Sequence, residues 1–232
     1  MDLNKEFYDN YYSRVFSDKG LSSKFNSLTH KAMESKINRP YISEHFGSRY
    51  SILEIGAGKG EHFNYVKQSF DDYHMLDILP KPLGVEFAKT KWIQEDICNP
   101  KIDLGQYDRI ISMCVFHHLA EPVLAMENIK KSLKVGGIFS LFLPSDPGVL
   151  NRVVRKFFVT PTAKKLGFEN YELLNAREHR NHYWGLKKEL EHQFQEFEIS
   201  KKYYPFRIPA GNLSLFSIWH FKKTSVHDFG KF

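Results

Sequence analysis

The chain has 232 residues, of which 42% are hydrophobic and 26% charged, with a formal net charge of +6. That length suffices for one well-buried core and the composition is that of a globular protein, which excludes fibrous and disordered classes. No apolar run approaches the length of a membrane span, and the opening MDLNKEFYDNYYSRVF lacks the apolar centre of a secretory signal.

Two cysteines, Cys98 and Cys114, are too few for a disulfide framework, so a reducing cytoplasmic setting is expected. The basic excess permits an acidic partner without demanding one.

Residues 1–40 read as two helices, with Tyr8, Tyr12 and Val15 at helical spacing and Pro40 closing the region. From Tyr50 the pattern changes. YSILEI is a short apolar run stopped by glycine and reads as a buried strand. GEHFNYVKQSF reads as a helix with Phe63 and Val66 inward. Three more strands are expected at 73–79, 91–97 and 107–115. PVLAMENIKKSLK is an amphipathic helix with Met126, Ile129 and Leu133 on one face, its end marked by Gly136-Gly137. IFSLFLP, 138–144, is a fifth strand. Residues 144–182 are too long for a simple connection and read as an insertion above the carboxyl edge of the sheet. The helix WGLKKELEHQF follows. Strands at 196–204 and 213–221 are joined too closely for a helical crossover, so they are expected to pair antiparallel. Strands alternating with helices predict an α/β fold with a mostly parallel sheet covered on both faces. The whole of 1–232 is read as a single domain, with 1–40 as a helical cap.

The first strand runs into LEIGAGKG. Gly56 and Gly58 fit the first two positions of a dinucleotide fingerprint, but residue 61 is Glu61 where a third glycine is required. No G-K-[ST] follows, so the loop is not a P-loop. Glu54 precedes the first glycine by two residues, and a carboxylate there suits a cationic ligand better than a pyrophosphate. Asp77 ends the second strand, where it can accept hydrogen bonds from a ribose diol. Asp96 and Ile97 end the third, where a carboxylate and a backbone N–H can read an adenine edge.

LEIGAGKG, MLDI, QEDI, YDRIISMCVFHHL and LKVGGIFSLFLP stand in the order and spacing of one family. Over roughly residues 50–145 and the two closing strands, the chain resembles the class I S-adenosylmethionine-dependent methyltransferases, of the small-molecule type (methyltransferase types 11, 12 and 25). The resemblance implies a Rossmann-like seven-stranded sheet with an antiparallel last strand. It implies S-adenosylmethionine as cofactor and S-adenosylhomocysteine as product. Glu54, Gly56, Ala57, Gly58 and Gly60 would then lie along the methionyl part, Asp77 at the ribose and Asp96 with Ile97 at the adenine, with Ile78 and Met113 as further cofactor contacts.

Methyl transfer to an oxygen often needs a base, and His117 and His118 follow the fourth strand at the rim that would face the methyl. Either is a candidate base, with packing or capping as the alternative role. In the insertion, Asn181 and His182 are candidate acceptor contacts. His179 and His182 share metal-ligand spacing, but no cysteine or carboxylate cluster accompanies them, so no metal is expected. The insertion carries seven cations against four anions, and Arg152 with Arg155 could grip a phosphorylated or nucleotide-linked sugar. Tyr8 and Tyr12 are candidates to line the pocket. The expected activity is methyl transfer to an O or N of a small molecule. An RNA methyltransferase of the same fold is the nearest alternative, disfavoured because [DNS]-P-P-[YFW] is missing after the fourth strand. A non-catalytic cofactor-binding scaffold is the other.

Overall fold

The computed structural model describes residues 21–35, 50–165 and 167–225. Tyr8, Tyr12 and most of the expected cap lie outside the described residues. Helix α1 (Leu21–Glu34) is the part of that region that can be placed.

Seven strands form one sheet: β1 (Ser51–Ile55), β2 (Asp72–Asp77), β3 (Thr90–Gln94), β4 (Tyr107–Met113), β5 (Leu133–Pro144), β6 (Phe197–Tyr204) and β7 (Phe216–Lys223). Their order is β3-β2-β1-β4-β5-β7-β6. The first five are parallel, and β7 runs antiparallel to both β5 and β6. This is the expected Rossmann-like arrangement. The remaining helices are α2 (Pro122–Ser132), α3 (Val149–Val154), α4 (Thr160–Lys165), α5 (Tyr171–Glu178) and α6 (Tyr183–Gln193), with a π-helical turn at Arg155–Val159 between α3 and α4. Among the described residues, no helix is long and apolar enough to cross a membrane.

A parallel sheet must be covered on both faces. Met126, Ile129, Leu186, Leu190 and Phe194 from α2 and α6 cover one face, against Ile110, Phe139 and Phe221. Ala32 and Met33 of α1 help cover the other, with Tyr73, Ile111, Phe142 and Phe216.

Two expectations fail locally. Residues 60–70 form no α-helix but one 3-10 turn, Glu61–Tyr65, whose chain is extended again at Val66. No side chain caps its start, and the N–H of Lys67 is taken by the Glu34 carboxylate of α1, at 3.4 Å, instead of by a helical carbonyl. Phe63 stacks on Phe87 and meets Phe70 and Tyr73 edge-on, so aromatic packing holds the segment. Gly136 and Gly137 do not end a helix either. Helix α2 stops at Ser132, and both glycines lie inside β5, where the pairing with β4 shifts register between Leu133 and Ile138. A Cβ on Gly137 would stand 2.8 Å from the Lys134 carbonyl oxygen, so this irregular stretch requires glycine.

Strand β4 is buried along its whole length although it carries Asp108 and Arg109. The Asp108 carboxylate accepts from the N–H and hydroxyl of Ser51 and pairs with Lys134 at 2.9 Å. Arg109 points to the opposite face. There its Nη2 meets Glu34 of α1 at 2.7 Å and its Nη1 donates to Gln68. Glu34 also accepts from His62, which donates through Nε2 at 3.1 Å and accepts at Nδ1 from His30, 2.9 Å away. Burial lowers the pKa of His30 to about 3 and that of His62 as well, despite the favourable carboxylate beside them, so both rings are neutral. Burial opposes ionisation of Glu34 too, but Arg109 outweighs it and lowers its pKa to about 2.

Two outcomes follow from this network. Arg109→Leu leaves a carboxylate buried without its cation and should cost about 3–5 kcal/mol in urea unfolding, with the Glu34→Leu/Arg109→Leu double variant recovering much of that loss. Neutral histidines with lowered folded pKa contribute stability that is full above the unfolded value of 6.5 and is lost as pH falls toward 3. The melting temperature should therefore drop progressively below pH 6.5, and His30→Phe should flatten that drop.

Candidate active site at the carboxyl edge of the sheet

The loop after β1 turns through Gly56, Gly58 and Gly60, all at positive φ. At Gly56 a Cβ would enter the space of the Val115 side chain, so the loop lies directly against the segment after β4. At Gly58 the space before the Cα is open. The N–H groups of Gly56 and Ala57 both donate to the Leu76 carbonyl, at 2.8 and 3.2 Å, which ties the loop to the end of β2.

Asp77, at that strand end, accepts from Gly58 N–H and from Leu79 N–H, each at 2.9 Å. An ionised carboxylate has about four acceptor positions, so two remain for a ligand's hydroxyls. Ile78, beside it, is 65% exposed, and Leu79 is exposed as well. Asp96 closes the turn after β3 by accepting Cys98 N–H at 2.9 Å, with Ile97 buried next to it. Met113 is buried at the end of β4, followed by Cys114 in the left-handed region at φ 56°. A non-glycine residue held there is strained, and such positions gather at functional sites.

Glu54 differs from the sequence expectation. It is not a charge presented to a ligand. It is a residue of β1, 2% exposed, and accepts from the hydroxyl of Tyr73 in β2 at 2.7 Å. Burial raises its pKa to about 8, against the lowering by the Tyr73 hydrogen bond, so the carboxyl is mostly protonated at neutral pH until a cation comes near.

The second half of the site is built from histidines. His117 and His118 lie in the turn after β4, and His179 caps the end of α5. The three rings pack together, with centroids 4.0, 4.4 and 5.1 Å apart. The Nδ1 of His118 faces the Glu178 carbonyl at 3.0 Å and, because a carbonyl only accepts, carries the hydrogen. The Nδ1 of His179 donates to Asp146 Oδ2 at 2.5 Å, and Arg155 reaches the same oxygen at 2.8 Å. His117 is buried, and its Nδ1 finds no partner among the described residues. Burial, then the neighbouring histidines, holds His117 well below the usual histidine range and takes His118 to about 4. Both are neutral bases. Burial works against ionisation of Asp146, but His179 and Arg155 outweigh it and lower its pKa to about 2.

Asn181 braces this turn. Its side-chain amide donates to the carbonyls of Phe116 (3.0 Å) and Leu119 (2.6 Å), and its own N–H to that of His117. His182 is exposed at the start of α6 while His179 ends α5, so the two do not share a helix face. Arg152 is exposed on α3, whereas Arg155 is engaged by Asp146. Asp146 was not singled out in the sequence. Its position in PSDP, directly after β5, was the available signal.

Residues 53–141 match the family model described as "Methyltransferase domain". Over that stretch the chain is similar to methyltransferase domains. Its fold recurs in the plantazolicin methyltransferase BpumL, solved in complex with SAH (TM-score 0.63, 16% identity, covering 96% of this chain and 91% of that one). It recurs in the CurJ carbon methyltransferase (TM-score 0.62, 18% identity, 94% and 59%). The N-methyltransferase NodS from Bradyrhizobium japonicum WM9 is more distant (TM-score 0.51, 14% identity, 97% and 94%). Among curated proteins, a hybrid PKS-NRPs synthetase, opdA, of Penicillium oxalicum is 28% identical over 118 residues, which is 43% of this chain and 3% of that much longer protein.

The loop 56–60 and the carboxylates Asp77 and Asp96 occupy the carboxyl ends of β1, β2 and β3, while the histidine turn follows β4. Asn181→Ala should cost about 1–3 kcal/mol, because it strands two partly buried carbonyls. Faster hydrogen exchange at 116–119, with the β1 to β3 amides unchanged, would verify that Asn181 holds the turn.

Proposed function

We propose that the protein transfers the methyl group of S-adenosylmethionine to an oxygen or nitrogen of a small molecule. The observation that carries this reading is the division of one sheet edge into two parts. Glycines and carboxylates follow β1 to β3, where the cofactor would lie, and neutral imidazoles follow β4, where its methyl would point. The cofactor supplies an activated methyl on a sulfonium and leaves as S-adenosylhomocysteine. Asp77, with its two spare acceptor positions, would hold the ribose. Asp96 and Ile97 would bound the adenine and Ile78 would cover it. Glu54 would ionise as the cationic ligand arrives, since its raised pKa reflects burial without a counter-charge.

The acceptor's proton must leave as the new bond forms. An imidazole whose Nδ1 hydrogen is held by a carbonyl has no hydrogen on Nε2 when neutral, which suits proton acceptance. His118 gives its Nδ1 hydrogen to the Glu178 carbonyl in this way. His117 packs against the His118 and His179 rings and helps to exclude water. Residues 144–182 would form the acceptor side. Within it, Arg152 remains the cation for an anionic group, while the Arg155 charge is shared with Asp146. Phe157 and Phe158, exposed on the turn beside them, offer an apolar surface to the rest of the acceptor. The two free cysteines fit a cytoplasmic setting.

The decisive measurement is a thermal shift with S-adenosylhomocysteine, NAD and RNA. Stabilisation by the first alone is expected, and Asp77→Ala should weaken that binding about tenfold or more through lost hydrogen bonds. Stabilisation by NAD alone would overturn the reading. On the acceptor side, Arg152→Gln should raise KM for phosphorylated acceptors with kcat nearly unchanged. An unchanged KM would remove the anionic acceptor.

A further inference from the structure

His117 and His118 come from one turn and His179 from the end of a distant helix, yet one ring nitrogen of each lies within 4.8 Å of the other two. Tetrahedral binding at about 2.1 Å sets such nitrogens roughly 3.4 Å apart, so small side-chain rotations would close the set. Two of the rings spend Nδ1–H on an oxygen acceptor, His118 on the Glu178 carbonyl and His179 on the Asp146 carboxylate. That outer hydrogen bond fixes the tautomer of a ligating imidazole and raises its basicity. The third ring, His117, is buried with an unpartnered Nδ1. Packed as a plain core side chain, His117 would leave that nitrogen unsatisfied, which is costly.

We infer that His117, His118 and His179 form a three-histidine site for a divalent transition-metal ion of the zinc class, with at least one coordination position open. The ligand set decides the class. Imidazole nitrogens suit zinc, copper, nickel and iron, whereas magnesium and calcium require oxygen ligands. Arg155 shares the Asp146 oxygen and keeps that carboxylate outside the inner set. Spacing along the chain gave no hint of the site, because the metal-like i, i+3 pair, His179 and His182, is split and the real partners of His179 lie after β4. Binding of the ion stands on the geometry alone. Its role in orienting the acceptor's donor atom rests on the acceptor side being here, and with the ion bound the imidazole lone pairs would be coordinated and would no longer take the acceptor's proton.

The full-length chain, stripped with chelator and desalted, should be titrated with Co(II) and Zn(II) separately. One Co(II) per chain with visible ligand-field bands, displaced by Zn(II) and not by Mg(II), is expected. H179Q and H118Q should each weaken Zn(II) binding about tenfold or more, while H192A, at an exposed imidazole on α6, should leave it unchanged. Circular dichroism confirms that each variant folds. Binding that is indifferent to H179Q and H118Q in folded protein, or no Co(II) spectrum at all, would overturn the site. Equal displacement by Mg(II) would overturn its class. The thermal shift with S-adenosylhomocysteine is read on the same samples: its absence beside intact zinc binding sinks the methyltransferase reading alone, and the reverse result sinks the metal site alone.

Discussion

Strand β4 carries two charges into a place where no water reaches, and the rest of the sheet can close only if both are paired. Asp108 is met from the edge by Ser51 and Lys134. Arg109 is met from the opposite face by Glu34, which brings helix α1, His62 and His30 with it. A buried ion pair of this kind gains little over apolar packing of the same volume, but half of one is strongly unfavourable. Placing α1 over the sheet is thus coupled to the strand that ends in the functional turn. The same Glu34 carboxylate captures the Lys67 N–H and helps to keep 61–70 from becoming a helix.

The carboxyl edge of the sheet is arranged on the same principle of satisfying buried polar groups. Each strand end donates or accepts within the edge before any ligand arrives: the Leu76 carbonyl holds the glycine loop, Asp77 holds Gly58, and Asp96 holds its own turn. The insertion is fastened to the turn after β4 by Asn181 on the Phe116 and Leu119 carbonyls and by the Glu178 carbonyl, which accepts from His118. The glycine-loop part of the edge and the insertion are therefore positioned by separate hydrogen-bond sets. BpumL, CurJ and NodS share this fold while their names record different substrates or acceptor atoms.

Much of the sheet was legible because its signals are local. Short apolar runs ending in glycine or aspartate mark parallel strands in any sequence, and LEIGAGKG with MLDI and QEDI places a ligand edge in chain order. What was misread was non-local. The segment 61–70 has helical spacing, but its backbone donor and its aromatic rings are claimed by α1, β2 and the β3 approach. The two glycines after α2 look like a helix stop, but serve an irregular stretch of β5 that pairs with β4. Glu54 reads as a carboxylate for a cationic ligand, but nothing nearby in the sequence reveals that the Tyr73 hydroxyl donates to it.

Periodicity in the linear chain was enough to specify the strands of an α/β sheet, because short apolar runs and their stops depend on residues within a few positions of one another. The protonation of Glu54, the pairing of Arg155 with Asp146 and the gathering of His117, His118 and His179 depend on burial and on partners far along the chain. Those properties come into being only when β4, β5 and the insertion pack together, because desolvation and convergence are properties of a volume and not of a string.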